Sequence, residues 1–140
     1  MFFNIFSGVE FMKKMNLSEP DIFGGLVIDM PAKRDDTNKY VDLIWPNLNY
    51  PPYVSGGGFI MNSKAAFLLQ SEIPKNPLIP IDDAFLGICM HQAGKTENIH
   101  LLPNICQWGF ENDHDKFNIC NIRKCMLYHN FLPEENLGIG

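Results

Sequence analysis

The sequence lacks any run of about 18 consecutive apolar residues, the length that a membrane-spanning helix requires, and so predicts no span. It also lacks a basic cluster and carries a formal net charge of −5, which argues against nucleic acid as a partner because phosphate binding depends on basic side chains. Charged residues make up only 19% of the 140 residues, whereas 46% are hydrophobic and 12% aromatic. This composition excludes disorder as the main state and suffices for one hydrophobic core.

Two common site patterns are also missing. Gly56-Gly57-Gly58 is accompanied neither by a Walker lysine nor by the spacing of a GxGxxG loop, so it predicts no phosphate loop and is better interpreted as a turn. The four cysteines include no CxxC pair, which leaves a zinc site of Cys106, Cys120, Cys125 and His129 as a remote alternative. Four cysteines allow three disulfide connectivities, and all three remain open at this point.

The N-terminal residues do not resemble a signal peptide, because they include no basic region, no unbroken apolar run and no small-residue cleavage site. They are better interpreted as part of a fold, which makes Met1 an unexpected start for a protein. Asn16-Leu17-Ser18 is an N-glycosylation sequon. Together with the cysteines, the sequon at Asn16 favours a secretory lumen.

Helical and strand patterns alternate along the chain, which predicts the α/β class and one domain or a piece of one. Asn62 or Ser63 can cap one helix, Asp82 can cap another, and Gly94 can end the second. Three prolines at 74, 77 and 80 indicate an extended link between these two helices. The predicted helices are Ile5–Met15, one that follows a cap at Asn62 or Ser63 and runs to about Glu72, and Asp83–Ala93. The predicted strands are Ile22–Met30, Ile99–Leu102 and Cys125–Tyr128.

Three polar groups are candidates for chemistry. Asp82 and Asp83 lie at a predicted helix start, where the helix dipole favours negative charge. Asp82 would be the N-cap, and Asp83 is either a first-turn acid or a general base that faces a cleft. His129 follows an apolar run and is either a packed histidine or a ligand. The sequence Asp113-His114-Asp115 matches a DxD metal motif but falls in a polar loop, so we interpret it as incidental.

Several ordered blocks resemble glycosyltransferase family 31, the β1,3-galactosyltransferases and β1,3-N-acetylglucosaminyltransferases. The first block is Trp45-Pro46 followed by Tyr50-Pro51-Pro52-Tyr53-Val54-Ser55-Gly56-Gly57-Gly58-Phe59. The second is Pro80-Ile81-Asp82-Asp83-Ala84-Phe85-Leu86-Gly87-Ile88-Cys89. The third runs from Cys120 to Arg123 and from Leu127 to Glu135. Their order and spacing cover nearly the whole chain.

The resemblance implies an α/β, partial GT-A-like fold, with a mixed sheet and flanking helices. Residues 1–140 would form a single incomplete catalytic domain, the C-terminal half. Met1-Phe2-Phe3-Asn4 resembles the end of the family's aspartate-rich segment, so the metal-binding aspartates, the nucleotide-binding half and an N-terminal membrane anchor would be missing. The full-length form would be a type II membrane protein facing the Golgi lumen.

The resemblance further implies an inverting transfer of GlcNAc or Gal from UDP-GlcNAc or UDP-Gal to the 3-hydroxyl of a glycan acceptor, with Mn²⁺ as cofactor. Asp83 would be the catalytic base and His129 a metal ligand. Cys89 and Cys120 would form a disulfide. The substrate-binding residues would be Asp82, Tyr53, Gly57, Gly58 and Trp45.

Two functional hypotheses follow. The first is a transferase domain that is inactive as this chain alone, because His129 without the aspartates offers Mn²⁺ neither charge nor chelation. The second is a non-catalytic fragment or pseudoenzyme that acts by association, aided by an exposed sheet edge.

Overall fold

A computed structural model of the chain describes residues 2–15, 18–34, 41–106 and 125–128. The chain divides into two compact units, one of Met1–Asn16 with Leu102–Gly140 and the other of Leu17–Leu101. The strands are β1 (Phe2–Phe3), β2 (Ile22–Val27), β3 (Tyr53–Met61), β4 (Ile99–Leu101), β5 (Ile105–Cys106) and β6 (Leu127–Tyr128). The helices are α1 (Ile5–Lys14), α2 (Ser63–Glu72) and α3 (Asp82–Gln92), with short 3-10 helices at Ile73–Lys75 and Thr96–Asn98.

The larger unit contains a mixed three-stranded sheet in the order β3-β2-β4, in which β2 is antiparallel to β3 and parallel to β4. Its core joins side chains of the sheet to those of α2 and α3, including Ile22, Val54, Leu69 and Met90. The α/β class and the mixed sheet with flanking helices are therefore confirmed. The strand predicted to reach Met30 ends at Val27, which pairs with Tyr53, the first residue of β3. Beyond the strand, Asp29 adopts a left-handed conformation with φ 55°.

The predicted turn at Gly56-Gly57-Gly58 is wrong, because the triplet lies inside β3. Gly24 pairs with Phe59 and Leu26 pairs with Val54. The two paired residues are therefore two residues apart on β2 but five residues apart on β3. The glycines therefore lie in a bulge, and Gly58 has φ 124°, which a side chain would strain.

The helix starts are set by different residues. Asn62 caps α2 as predicted: its Oδ1 accepts a hydrogen bond of 2.9 Å from the N–H of Ala65. The predicted cap at Asp82 is wrong. Ile81 occupies the cap position, because its carbonyl accepts the N–H of Phe85 at 2.9 Å, and Asp82 is the first helical residue. The Asp82 carboxylate instead accepts the N–H of Asp83 at 2.9 Å.

The link between α2 and α3 is less extended than predicted, since Pro74 lies in the 3-10 helix Ile73–Lys75. The predicted end of the second helix is confirmed. The helix α3 stops at Gln92, and Gly94 follows with φ 68°, a conformation that glycine adopts without strain.

The smaller unit contains a sheet in the order β1-β6-β5, in which β6 is antiparallel to β1 and parallel to β5. Asn4 caps α1, since its Oδ1 accepts the N–H of Ser7 at 3.1 Å. The pairing of β5 with β6 brings Cys106 and Cys125 to a Cα–Cα distance of 5.9 Å, and the two form a disulfide.

The predicted Cys89–Cys120 disulfide is wrong in this structure, because Cys89 carries a free, fully buried thiol. It packs on α3 among the apolar side chains of the larger unit's core. Burial, and after it the charge of Glu72, raises the pKa of this thiol. Cys120 lies outside the described residues.

Several other predictions fall on residues that the structure does not describe: the sequon at Asn16, the ligand His129 and the incidental motif at 113–115. Among the helices in the described ranges, none is both long and apolar enough to cross a bilayer.

Candidate functional site

The N-terminus of α3 faces the glycine bulge of β3 through one carboxylate. Asp83 is half-buried, and its Oδ2 accepts a hydrogen bond of 2.8 Å from the N–H of Gly56. Its Oδ1 accepts the N–H of Ala84 at 2.9 Å. Since a carboxylate can accept about four hydrogen bonds, Asp83 keeps acceptor capacity for a further donor. The arrangement can hold a carboxylate in one orientation while it accepts a proton.

The glycines of the bulge have different environments. Gly56 is exposed beside Asp83, whereas Gly57 is buried and Gly58 is half-buried. A Cβ on Gly56 would lie 3.5 Å from Asp83 Oδ2, which is ordinary contact. The sequence had suggested Gly57 and Gly58 as the cleft glycines, so Gly56 was missed. The pair Gly24-Gly25 predicted a bulge or a close backbone approach in β2, and the register shift between Gly24 and Leu26 confirms the irregularity there. That it brings Gly56 beside Asp83 depends on the pairing of β2 with β3.

Asp82 and Asp83 occupy the same helix turn but point to different environments. Asp82 is exposed and its described hydrogen bond is the local one to the N–H of Asp83, whereas Asp83 reaches the neighbouring strand. The free N–H groups and the dipole of a helix N-terminus favour negative charge at both positions. Of the two carboxylates, Asp83 is the one that the fold holds in place.

Trp45 and Tyr53 lie in an aromatic cluster rather than on an open surface. Only 8% of Trp45 and 6% of Tyr53 is exposed. The rings of Trp45 and Tyr50 stack with centroids 6.4 Å apart, and Tyr50 meets Tyr53 edge to face at 6.4 Å. Burial, and then the negative charge of Asp83, raises the pKa of Tyr53. Direct contact of Trp45 or Tyr53 with a sugar stays a prediction.

A buried carboxylate that the sequence had not indicated organises the segment before β3. Asp42 is fully buried; its Oδ1 accepts the N–H groups of Ile44 at 2.8 Å and Trp45 at 3.0 Å, and its Oδ2 accepts the Tyr50 hydroxyl at 2.7 Å. Burial alone would raise the pKa of Asp42. These hydrogen bonds and the charge of Arg34 outweigh it and lower the pKa below the ordinary 3.8.

Arg34 completes this network. Its guanidinium donates hydrogen bonds to the backbone carbonyls of Asp42, Trp45 and Asn47, the last at 2.9 Å. The indole Nε1 of Trp45 donates to the carbonyl of Asn49 at 2.9 Å. The network therefore fixes the aromatic cluster that packs against the start of α3, where Ala84 and Ile88 belong to the same core.

Within the described ranges, no group of three or more His, Cys, Asp or Glu side chains could hold a metal ion. These residues alone do not form a manganese site. The predicted ligand His129, and its predicted proximity to Asp83, fall outside the described residues.

Comparison with known proteins identifies the family. The model of the galactosyltransferase family matches residues 1–100. The chain belongs to this family, glycosyltransferase family 31. The resemblance predicted from the ordered blocks is thereby confirmed.

The curated relatives of this family member are β1,3-glycosyltransferases. The acetylgalactosaminyl-O-glycosyl-glycoprotein β-1,3-N-acetylglucosaminyltransferase of Mus musculus is 33% identical over 124 residues, which cover 81% of this chain and 30% of the relative. The Homo sapiens protein of the same name is 35% identical over 109 residues, covering 74% of this chain and 28% of the relative. β-1,3-Galactosyltransferase 1 of Mus musculus is 31% identical over 116 residues, covering 81% and 33%.

The galactosyltransferase match covers only part of the predicted site. Asp82, Asp83 and the glycine bulge all lie within the matched residues 1–100, whereas His129 and Cys120 lie beyond them. The chain spans about 30% of the length of the curated relatives.

Proposed function

We propose that this family member takes part in β1,3-glycosyl transfer, moving GlcNAc or Gal from UDP-GlcNAc or UDP-Gal to the 3-hydroxyl of a glycan acceptor. The observation that carries the proposal is the half-buried Asp83 carboxylate, oriented by the N–H of Gly56 at 2.8 Å. The relatives are named as β1,3-N-acetylglucosaminyl- and β1,3-galactosyltransferases, which supports the proposed linkage.

Asp83 acts as the general base in this proposal. Its carboxylate takes the proton of the acceptor's 3-hydroxyl while that oxygen attacks the anomeric carbon of the donor. The bond between the anomeric carbon and the diphosphate oxygen breaks, and UDP leaves with the electron pair. Attack on the face opposite the leaving group inverts an α-linked donor and produces a β1,3 bond. The Gly56 N–H keeps the carboxylate in one orientation, which reduces the entropy lost on reaching the reactive geometry.

The remaining residues have supporting roles in the proposal. Gly57 and Gly58 leave room for a sugar to approach the backbone, because neither has a Cβ. Trp45 and Tyr53 belong to the buried cluster that includes Ala84 of α3, and their contact with a sugar belongs to the same proposal. Asp82 is available to bind an acceptor hydroxyl from the exposed side. A GT-A-like fold for the complete domain belongs to the same proposal.

The cellular setting is also a proposal. A Golgi lumen, with anchorage by a type II membrane segment of a longer form, agrees with the Cys106–Cys125 disulfide, because disulfides persist in the oxidising secretory pathway. Mn²⁺, with His129 among its ligands, would neutralise the leaving diphosphate when bound.

The test is a chimaera in which this chain replaces the matching segment of the Mus musculus N-acetylglucosaminyltransferase relative. We expect transfer from UDP-GlcNAc or UDP-Gal, with a β1,3 product identified by NMR. Asp83→Asn should lower kcat by roughly 10²- to 10⁴-fold, the contribution typical of a general base. The matched control is Glu97→Gln, an exposed carboxylate outside the site, which should leave kcat within twofold. Equal activity of the Asp83→Asn and Glu97→Gln chimaeras would refute the role of Asp83.

Two further measurements belong to this test. Chelation by EDTA should abolish transfer by the chimaera, and Mn²⁺ should restore it; transfer in the presence of EDTA would refute the manganese requirement. We expect the isolated 140-residue chain to transfer no sugar, and measurable product from that chain alone would contradict this expectation.

The association hypothesis is favoured by one observation. The helix α1 carries three exposed apolar side chains, Ile5, Phe6 and Val9, with 65%, 87% and 46% of each accessible. Ile5 and Val9 are four residues apart and share a helix face. If association is the function, the chain forms oligomers by light scattering and Phe6→Ser shifts them toward the monomer, while the chimaera is inactive with every UDP-sugar. A monodisperse monomer would contradict this alternative.

A further inference from the structure

We propose that Gly87 is a positioning residue for Asp83: by lacking a side chain, it lets α3 approach β3 closely enough for the Gly56 N–H to hold the Asp83 carboxylate. The geometric claim stands independently, whereas its catalytic meaning rests on the proposed function. The observation that supports this proposal is the lack of space for a side chain at Gly87. A Cβ on Gly87 would lie 2.5 Å from the Cβ of Tyr53 and 2.7 Å from the carbonyl oxygen of Pro52.

The contact of Gly87 with Tyr53 and that of Asp83 with Gly56 are related by the regular spacing of residues along α3 and β3. Gly87 lies four residues, or about one helical turn, after Asp83 and so on the same side of α3. On β3, Gly56 lies three residues after Tyr53. Gly87 therefore meets one end of this strand segment while Asp83 meets the other, and both contacts depend on the same separation of helix and strand.

The distances indicate that a side chain at Gly87 would break the hydrogen bond between Gly56 and Asp83. Non-bonded carbon atoms prefer separations of about 3.5–4.0 Å, so an alanine at Gly87 would require a displacement of roughly 1 Å. Its neighbours are the backbone of Pro52 and the Cβ of a buried Tyr53, neither of which can rotate away. A displacement of that size would lengthen the 2.8 Å hydrogen bond from Gly56 to Asp83 beyond the usual limit of about 3.2 Å.

The primary measurement is amide hydrogen exchange by NMR on the full 140-residue chain, which needs no catalytic activity. Asp83→Ala should raise the exchange rate of the Gly56 amide at least tenfold, because it removes the acceptor. Gly87→Ala should do the same with Asp83 still present. The internal reference is the amide of Ala65, which the side chain of Asn62 caps at 2.9 Å and which both variants should leave unchanged.

The matched control is Gly94→Ala, just beyond the C-terminal end of the same helix. Gly94 has φ 68° and no atom within 4 Å of the position that a Cβ would occupy, so alanine there strains the backbone without touching β3. It should destabilise the chain while leaving the exchange of Gly56 unchanged relative to Ala65. A folded Gly87→Ala variant whose Gly56 amide exchanges as in the wild type would overturn the proposal.

If Gly87→Ala fails to fold, two measurements on the wild type and on the Asp83→Ala variant still test the proposal. The wild type should show nuclear Overhauser effects between the Hα protons of Gly87 and the Hβ protons of Tyr53, and Asp83→Ala should still release the Gly56 amide. Absence of either result would overturn the proposal.

The kinetic consequence separates this proposal from the proposed function. In the chimaera, Gly87→Ala should lower kcat at least tenfold with the acceptor KM within twofold, because a misplaced base affects the chemical step more than binding. Faster exchange at Gly56 with unchanged kcat would support the positioning and refute Asp83 as the base. A lower kcat with unchanged exchange would overturn the role of Gly87.

Discussion

Replacing Tyr50 with phenylalanine removes one hydrogen bond to a buried carboxylate and little else. The Tyr50 hydroxyl donates to Asp42 Oδ2 at 2.7 Å, and 0% of Asp42 and 3% of Tyr50 is exposed. A hydrogen bond to a charged group contributes about 1.5–3 kcal/mol to stability. The ring of Tyr50 keeps its contacts with Trp45 and Tyr53 in the variant, so the lost hydroxyl dominates the change.

We expect Tyr50→Phe to lower the free energy of unfolding by about 2 kcal/mol at pH 7. With a urea m-value of about 2 kcal/mol/M, the midpoint falls by about 1 M. Urea unfolding followed by far-UV circular dichroism measures this shift. The matched control is Tyr53→Phe, which removes a hydroxyl from the same aromatic cluster but leaves the bond between Tyr50 and Asp42 in place.

The pH dependence distinguishes this hydrogen bond from general packing. Because the folded-state pKa of Asp42 is lowered from 3.8, the ionised carboxylate stabilises the folded chain. That contribution is complete above the unfolded-state pKa and is lost as the pH falls through the lower folded-state pKa. The difference between wild type and Tyr50→Phe should therefore be largest at pH 7 and shrink below about pH 4. Equal losses for Tyr50→Phe and Tyr53→Phe, or a loss independent of pH, would refute the reasoning.

Three further predictions concern stability. Asn62→Ala should cost about 1 kcal/mol in urea unfolding, because it removes the cap of α2, and Asn62→Asp should retain most of it; an unchanged midpoint for Asn62→Ala would contradict this. Arg34→Lys should cost about 2 kcal/mol and speed proteolysis within residues 41–50, because one ammonium cannot reach the three carbonyls that the guanidinium binds; an unchanged cleavage rate would count against it. Reduction of Cys106–Cys125, which closes a loop of sequence separation 19, should cost about 3 kcal/mol, and Cys106→Ser should abolish the effect of the reductant.

Secondary structure was predictable where short-range chemistry decides it. The cap of α2 at Asn62 and the end of α3 before Gly94 were both correct, because a cap needs only residues within one helical turn. The cap at Asp82 was wrong because the helix begins one residue earlier than its capping chemistry suggests, with Ile81 at the cap position and no side-chain capping hydrogen bond. The contact of Asp83 with Gly56, 27 residues earlier, accompanies a helix that begins at Asp82 itself.

The candidate site was predictable in its residue types more than in its arrangement. Asp83 was identified from its place at a predicted helix start and in a family block, and the structure holds it beside the glycine triplet of another block. Gly56, Gly87 and Asp42 were not assigned roles. Their importance depends on a bulge, a close approach and a buried hydrogen-bond network, and each of these joins residues that are distant along the chain.

The sequence by itself determined the family, since ordered blocks of residues carry that information without coordinates, and it determined the α/β class through its alternating periodicities. Only the tertiary structure decided which cysteines pair, that the three glycines continue β3 rather than turn, and that Trp45 and Tyr53 are buried. The physical reason is the range of the interactions. Periodicity and capping act over a few residues, whereas strand pairing, burial and helix–strand approach depend on segments that meet only after the chain has folded.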